Sequence, residues 1–321
     1  MIRLGIIGAG IMGERMLRAA LEQAADTVTV TGIWDPAPAA LARIGSLAPH
    51  APSAAALIAG ADCVYVASPP ASHLDHAAAA LAAGRAVFCE KPLAVDVAAA
   101  RGFVAAHPGA RAAVNFPMAS SLGVATLRDW LPAIGTPLRL EIETSFATWP
   151  RAWQRDAAGW LDRTAQGGFT REVVSHFLFL TRRLCGALVL EEGQASFPAP
   201  GASERAIAAR LTAGGLPARL LGGVGTTLAD DHNSWTLWGT RGAIRLRDWS
   251  VAERLVDGAW VPDAAAMPNE RMRPLVLRRQ LEGVARMVRG EAHHLATLDE
   301  ALEVQAVVEG ILGGYPPASA R

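Results

Sequence analysis

The sequence predicts an α/β chain of two domains: a doubly wound parallel sheet over residues 1–117, then an α+β domain with a largely antiparallel open sheet over 118–321. Three observations predict it. Short apolar strands alternate with Ala-rich helical stretches as far as residue 116, a glycine-rich turn joins the first strand to the first helix, and beyond residue 117 the pattern changes to period-two alternation. Continuous apolar strands separated by helices belong to a sheet covered on both faces, whereas strict alternation belongs to a sheet with one face in water.

Residues 3–7 read as a buried strand, 8–13 as a glycine turn and 11–24 as a helix. A second strand, 28–34, ends at Asp35-Pro36, where proline breaks it. Strand 62–67, helix 72–83, strand 86–89, helix 95–106 and strand 111–116 continue the alternation. In the second domain Leu138-Arg139-Leu140-Glu141-Ile142-Glu143 alternates apolar with charged residues. Residues 205–213, 217–228 and 235–247 read as further strands, and 274–290 and 298–312 as amphipathic helices. The uncovered face of such a sheet suits a homo-oligomer, a dimer or tetramer.

Bulk properties exclude several classes. The chain is 51% hydrophobic, which supports large cores, and its 30 basic and 30 acidic side chains cancel. That balance offers no footprint for nucleic acid or an anionic membrane. A core strand begins almost at Met1, so no signal peptide is expected, and the longest apolar runs are too short to span a bilayer. Cys63, Cys89 and Cys185 are odd in number and lack metal-ligand spacing. They imply buried thiols in a reducing compartment, hence a soluble cytoplasmic protein. His73-x-x-His76 has a spacing that metals use but no third ligand, so no metal is expected; His293-His294 reads as a solvated helix end.

Gly8-Ala9-Gly10-Ile11-Met12-Gly13 is G-x-G-x-x-G placed between a strand and a helix, with Asp35 closing the next strand. This is the dinucleotide fingerprint of a Rossmann domain. Gly8 permits the tight turn, Gly10 lets a pyrophosphate approach the backbone, and Gly13 lets helix and strand pack closely. The free N–H groups of the helix N-terminus then meet the negative charge. Asp35 suits the ribose hydroxyls of NAD and repels the 2′-phosphate of NADP, and residues 36–42 carry no Arg or Lys to offset it. Arg43 falls on the helix that follows.

Of the 30 basic residues, 29 are Arg and one, Lys91, is Lys. It follows the strand 86–89, at the carboxyl end where open parallel sheets bind ligands. Arg cannot release its proton near neutral pH and Lys can, so a lone surviving ammonium marks a place where proton exchange matters.

Ser68-Pro69-Pro70 with His73, followed by Ala83-Gly84-Arg85-Ala86-Val87-Phe88-Cys89-Glu90-Lys91-Pro92-Leu93, closely resembles the glucose-fructose oxidoreductase/inositol dehydrogenase (Gfo/Idh/MocA) family. Further along, Trp160, Gly167-Gly168, Glu172-x-x-x-His176, the 239–244 segment and 298–312 resemble that family's tryptophan, glycine-rich turn, Asp-x-Gly-x-His helix, late hairpin and final helix. The resemblance implies cofactor contacts at Gly8, Gly10, Ile11, Met12, Gly13, Asp35, Ser68, Pro69, His73, Glu90 and Lys91. It also implies that Lys91 contacts the reacting oxygen, that His176 exchanges its proton, and that Glu172 stands where relatives have Asp. Val174 at the usual glycine position, Arg171 before the acid and Met118-Ala119 in place of an aromatic-Arg pair are departures.

The residues carry the same reading on their own terms. Thr170 to Leu184 is helix-like, with Thr170 as its N-cap and Gly186 as its terminator. It is apolar nearly all round and therefore buried. Glu172 and His176, four apart on one face, can tune each other's proton affinity. Arg171 either grips an anionic group of the substrate or pairs with a carboxylate of the protein. Trp160, like Trp149 and Trp153, either stacks on a sugar face or fills the core. The resulting expectation is hydride transfer between NAD(H) and a hydroxyl or carbonyl carbon of a small polar substrate: a sugar, polyol or sugar acid. The alternatives are an enzyme using transient oxidation (epimerase or glycosidase-like) and a dinucleotide- or sugar-sensing regulator, which needs no proton relay.

Overall fold

A computed structural model describes residues 1–315. The chain divides into two compact units. The first is Met1–Ser120 together with Arg273–Leu302; the second is Ser121–Met272 together with the chain from Glu303 onward.

The first unit holds β1 (Ile2–Ile7), α1 (Ile11–Glu22), β2 (Val28–Trp34), α2 (Pro38–Ile44), α3 (Ala54–Gly60), β3 (Cys63–Val66), α4 (His73–Ala82), β4 (Ala86–Cys89), α5 (Val97–Ala106) and β5 (Ala112–Val114). Its sheet runs β2-β1-β3-β4-β5 with every neighbouring pair parallel. The strand order reverses at β1, so the β1/β3 crevice is the topological switch point where such sheets take ligands. Every residue of β3 and β4 is buried, as strands covered on both faces require. The side chains of Ser53 and Asp96 cap α3 and α5 by accepting from the N–H of Ala56 and Ala99.

The second unit holds α6 (Leu122–Trp130), β6 (Pro137–Phe146), α7 (Ala158–Leu161), a π-helical turn (Thr170–Val174) running into α8 (Ser175–Cys185), and the strands β7 (Leu188–Ser196), β8 (Ala206–Ala213), β9 (Leu216–Val224), β10 (Asp231–Gly239), β11 (Gly242–Arg247), β12 (Val251–Val256) and β13 (Ala259–Pro262). Its eight strands run β13-β12-β11-β10-β6-β9-β8-β7. Only the β6–β9 pair among the described residues is parallel, so the sheet is largely antiparallel as expected. The segment 235–247, which reads as strand by its residues and carries the late hairpin that the resemblance implies at 239–244, is two strands: a turn at Thr240-Arg241 folds β11 back on β10.

Two helices close the chain, α9 (Asn269–Val288) and α10 (Leu298–Gly313). Leu277, Leu281, Val284 and Ala285 of α9 lie in one cluster with Leu4, Ile6, Met16, Tyr65 and Phe88. Most of α9 therefore completes the core of the first unit, although it lies far beyond residue 117. His293 and His294 follow α9 as half-buried loop residues rather than a solvated helix end, and His294 Nε2 lies 2.8 Å from Ser120 Oγ. Among the described residues no helix is long and apolar enough to cross a membrane. Cys63 and Cys89 are fully buried and Cys185 is partly so, all three as free thiols.

Candidate active site

In the first unit the glycine turn is built for close approach. Gly8 has φ +101°, and a Cβ there would sit 2.5 Å from the Ala67 carbonyl. A Cβ on Gly13 would lie 1.8 Å from Gly8 O, so α1 can begin against β1 only because position 13 is glycine. A Cβ on Gly10 would meet nothing within 4 Å, and no side chain caps α1. The open space over Gly10 and the uncapped helix N-terminus fit a bound pyrophosphate. Ile11 and Met12 are half-buried at the start of α1. Asp35 is half-buried, with Oδ2 accepting from Ala9 N and Oδ1 from Ala37 N, both at 2.8 Å. Those two bonds fix its carboxylate beside the turn. Arg43 also reaches the turn, donating from Nη2 to Ala9 O at 3.1 Å. A chain position eight residues past Asp35 gives no hint of that reach.

At the carboxyl ends of β3 and β4 the loops 68–70 and 90–92 are tied together. His73 is 1% exposed; its Nδ1 lies 2.8 Å from Pro92 O and its Nε2 2.7 Å from Ser68 O. Burial lowers the proton affinity of this ring, the two carbonyl oxygens oppose that, and Lys91 and His76 add to the lowering. Ser68 Oγ accepts from Ser72 Oγ at 2.7 Å, and Pro69 is exposed. Glu90 is 7% exposed and accepts from the Tyr65 hydroxyl and, at 2.6 Å, from Asn115 Nδ2. Asn115 Oδ1 accepts in turn from Gln280 on α9. Burial and the Glu90 carboxylate push the Tyr65 hydroxyl far up, so it stays a donor. Lys91 itself is half-buried and precedes a cis peptide bond to Pro92. Glu90 and His73, expected among the cofactor contacts, are thus buried groups bonded to protein on either side of the lysine.

In the second unit His176 is 7% exposed near the start of α8, and Glu172 is half-buried on the preceding π turn. Thr170 is not the side-chain cap that its sequence position suggests. Its N–H and its hydroxyl both donate to Glu204 Oε1 at 2.7 Å, so a fully buried carboxylate from the loop before β8 caps the helix instead. Arg171 uses four of its five N–H donors on the protein. Nε and Nη2 grip Glu309 at 2.6 and 2.7 Å, and Nη1 meets Thr164 O and Gly167 O at 2.8 and 2.7 Å. Of its two expected roles, pairing with a carboxylate is the one the geometry has. Trp160 is half-buried on α7. Trp149 packs into the core against Phe146 and Phe169, while Trp153 is 44% exposed beneath the Arg151 guanidinium.

Sequence reasoning missed the groups around His176. The Trp249 ring meets the imidazole edge-on, with centroids 5.4 Å apart, and its Nε1 donates to Asp231 Oδ2 at 3.1 Å. The same oxygen accepts from Arg151 Nη1 at 2.6 Å. These residues come from three separate places in the chain, and no local pattern joins them. The one available signal was Asp248-Trp249 in a hairpin turn where Asp-Gly is the usual pair.

A glycine cradle at the switch point of a parallel sheet, with an acid at the end of β2, defines a dinucleotide-binding Rossmann unit. Residues 2–115 match the family profile described as "Oxidoreductase family, NAD-binding Rossmann fold". Over those residues the chain is similar to this family, Gfo/Idh/MocA. It is 38% identical over 146 residues to inositol 2-dehydrogenase 3 of Saccharopolyspora erythraea, a stretch covering 43% of each chain. It is also 38% identical over 109 residues to an inositol 2-dehydrogenase of Cereibacter sphaeroides, covering 33% of each. The chain thus matches less than half the length of these curated relatives. The whole fold is shared with an oxidoreductase from Agrobacterium radiobacter solved with NAD+, L-tartaric acid and magnesium (TM-score 0.82, 18% identity, 100% of this chain and 97% of that one). It is shared too with UDP-N-acetylglucosamine 3-dehydrogenase from Acidithiobacillus ferrooxidans (TM-score 0.77, 19% identity, 97% and 96%).

Proposed function

We propose that the protein is an NAD-dependent dehydrogenase acting on a hydroxyl-bearing carbon of a small neutral polyol or sugar. The observation that carries this reading is the chain's single lysine, set between Glu90 and Pro92 at the carboxyl end of β4 in an NAD-binding Rossmann unit. NAD, when bound, supplies the hydride acceptor. Gly10 and the first N–H groups of α1 hold its pyrophosphate, and Asp35 binds the adenosine ribose diol. Ser68 and Pro69 line the path toward Lys91, while His73 and Glu90 fix the two loops around that residue. Lys91 and His176 manage the proton of the reacting hydroxyl, and Glu172 orients and tunes the imidazole. Trp160 is assigned to the substrate side.

A neutral substrate is favoured because the guanidiniums of Arg151 and Arg171 are already engaged by Asp231 and Glu309. The inositol 2-dehydrogenase relatives support the same class. NAD is favoured over NADP by the Asp35 carboxylate, which repels a 2′-phosphate even with Arg43 nearby. The free cysteines favour the cytoplasm. The outward face of the large sheet supports a homodimer or tetramer. There Arg139 lies over Trp238, Arg245 lies over Trp260, and the two tryptophans meet at 6.1 Å.

The test is a screen for NADH formation across polyols, sugars and sugar acids, with fluorescence titration of NAD and NADP. Lys91→Arg should bind NAD within about twofold of the native protein yet lose at least ~1000-fold in single-turnover hydride transfer, because a guanidinium cannot exchange the proton. Near-native turnover by Lys91→Arg would reduce the lysine to a fixed charge, and tighter binding of NADP than NAD would overturn the role of Asp35.

A further inference from the structure

The connection between β11 and β12 breaks the local rule for its shape. Asp248 and Trp249, the central residues of the Arg247–Ser250 turn, have φ +45° and +74°, and Ser250 N donates back to Arg247 O. Positive φ at both central positions is the pattern of a type I′ turn, whose second position is ordinarily glycine. A bulky aromatic residue in that conformation is an outlier that persists only where its surroundings hold it.

The surroundings here are specific. Asp248 is fastened to β10: its backbone N donates to Asn233 O at 2.9 Å, and its Oδ1 accepts from Asn233 N at 3.2 Å and lies 2.9 Å from His232 Nδ1. Trp249 is held through its indole N–H by Asp231, whose carboxylate is itself held by the 7%-exposed Arg151. The ring then rests against Phe177 at 5.3 Å and against the His176 imidazole at 5.4 Å, with interplanar angles of 43° and 71°. Phe177 is fully buried, so one side of the ring is part of the core and another side faces the histidine.

We propose that Trp249 is a positioning residue for His176. Its edge-on ring sets the plane of the imidazole and keeps water off one side, and the Arg151–Asp231 pair sets the ring. This extends the proposed function, because it takes His176 as a residue that manages the proton. The charged groups near the pair are Glu172 one turn earlier on the same helical segment, and Asp231 and Arg151 behind the indole.

The experiment follows the His176 ring directly. In the full-length protein with 15N-labelled histidine, the His176 signals are assigned by their loss in His176→Asn and titrated in native protein, Trp249→Gly and Trp249→Phe. Steady-state kinetics are measured in parallel on the polyol found in the screen. Trp249→Gly should keep its NAD affinity within about twofold, shift the His176 titration, displace the pH profile of kcat and lower kcat by about 100-fold with a smaller change in KM. Trp249→Phe, which restores a ring without the N–H that Asp231 holds, should recover only part of kcat. An unchanged His176 titration and pH profile in Trp249→Gly would overturn the inference. If that variant fails to fold, Asp231→Asn serves in its place: it keeps the shape but weakens the hold on the indole, and an unaltered pH profile there would be equally fatal. Full turnover by His176→Asn would remove the catalytic role of the histidine, while the titration would still report whether Trp249 controls its ring.

Discussion

Arg171 offers a perturbation whose size follows from its bonds. Replacement by Met keeps the aliphatic stem and removes the guanidinium. That strips both bonds from Glu309, which is 24% exposed, and leaves the Thr164 and Gly167 carbonyls without their donor. Removing one partner of a largely buried pair costs about 3 kcal/mol, most of it from the charge left behind. In a unit of roughly 170 residues that is a fall in Tm of about 6 to 12 °C. Glu309→Gln in the same background should restore part of the loss, because the stranded charge is then gone, and the two changes should show a coupling of at least ~1.5 kcal/mol. Calorimetry on the four proteins reads the cycle, and KM on neutral polyols should stay within about twofold in all of them. A Met variant that melts with the native protein while its KM for carboxylate-bearing substrates rises would show that the ion pair is dispensable and that the guanidinium serves the ligand after all.

Two other outcomes follow from the first unit. Gly13→Ala places a Cβ 1.8 Å from the Gly8 carbonyl, so the turn must open, and NAD affinity should fall by at least ~100-fold in fluorescence titration; retained affinity would show that the turn does not cradle the pyrophosphate. Burial pushes the thiols of Cys63 and Cys185 up to about 12 and that of Cys89 well above its ordinary value. The native protein should therefore be inert to iodoacetamide from neutral pH to about pH 9 and label at all three sites once denatured, whereas prompt labelling of native Cys63 would contradict the buried strand.

What could be read from the sequence was what neighbouring residues encode. The glycine turn, Asp35 and Glu90-Lys91-Pro92 each declare themselves within a dozen positions, because a tight turn, a strand end and a loop are local constraints. Partners distant in sequence left no such trace. Arg171 and Glu309 are 138 positions apart, Thr170 and Glu204 are 34 apart, and neither carboxylate differs in its local context from a solvated one. The π turn under Glu172 escaped for a related reason, since apolar spacing over five residues does not separate i+4 from i+5 bonding. β7, β12 and β13 lacked a clear period: the β7 pairing is interrupted between Leu190 and Glu192, and β12 and β13 have few buried positions. α9 was recognisable as an amphipathic helix, but its stripe of apolar side chains does not say which sheet it will cover.

That last point has a temporal side. The helix contributing Leu277, Leu281 and Val284 to the first core is made only after the whole of the intervening unit. A ribosome working at 5–20 residues per second needs about 8 to 30 s to add those roughly 150 residues. Throughout that interval the nascent β1–β5 sheet lacks the α9 side chains, and on that part of its core it has α1 residues such as Met16 and Leu17. During synthesis, then, the cofactor-binding unit is begun before the second unit and receives α9 only after most of that unit has been made.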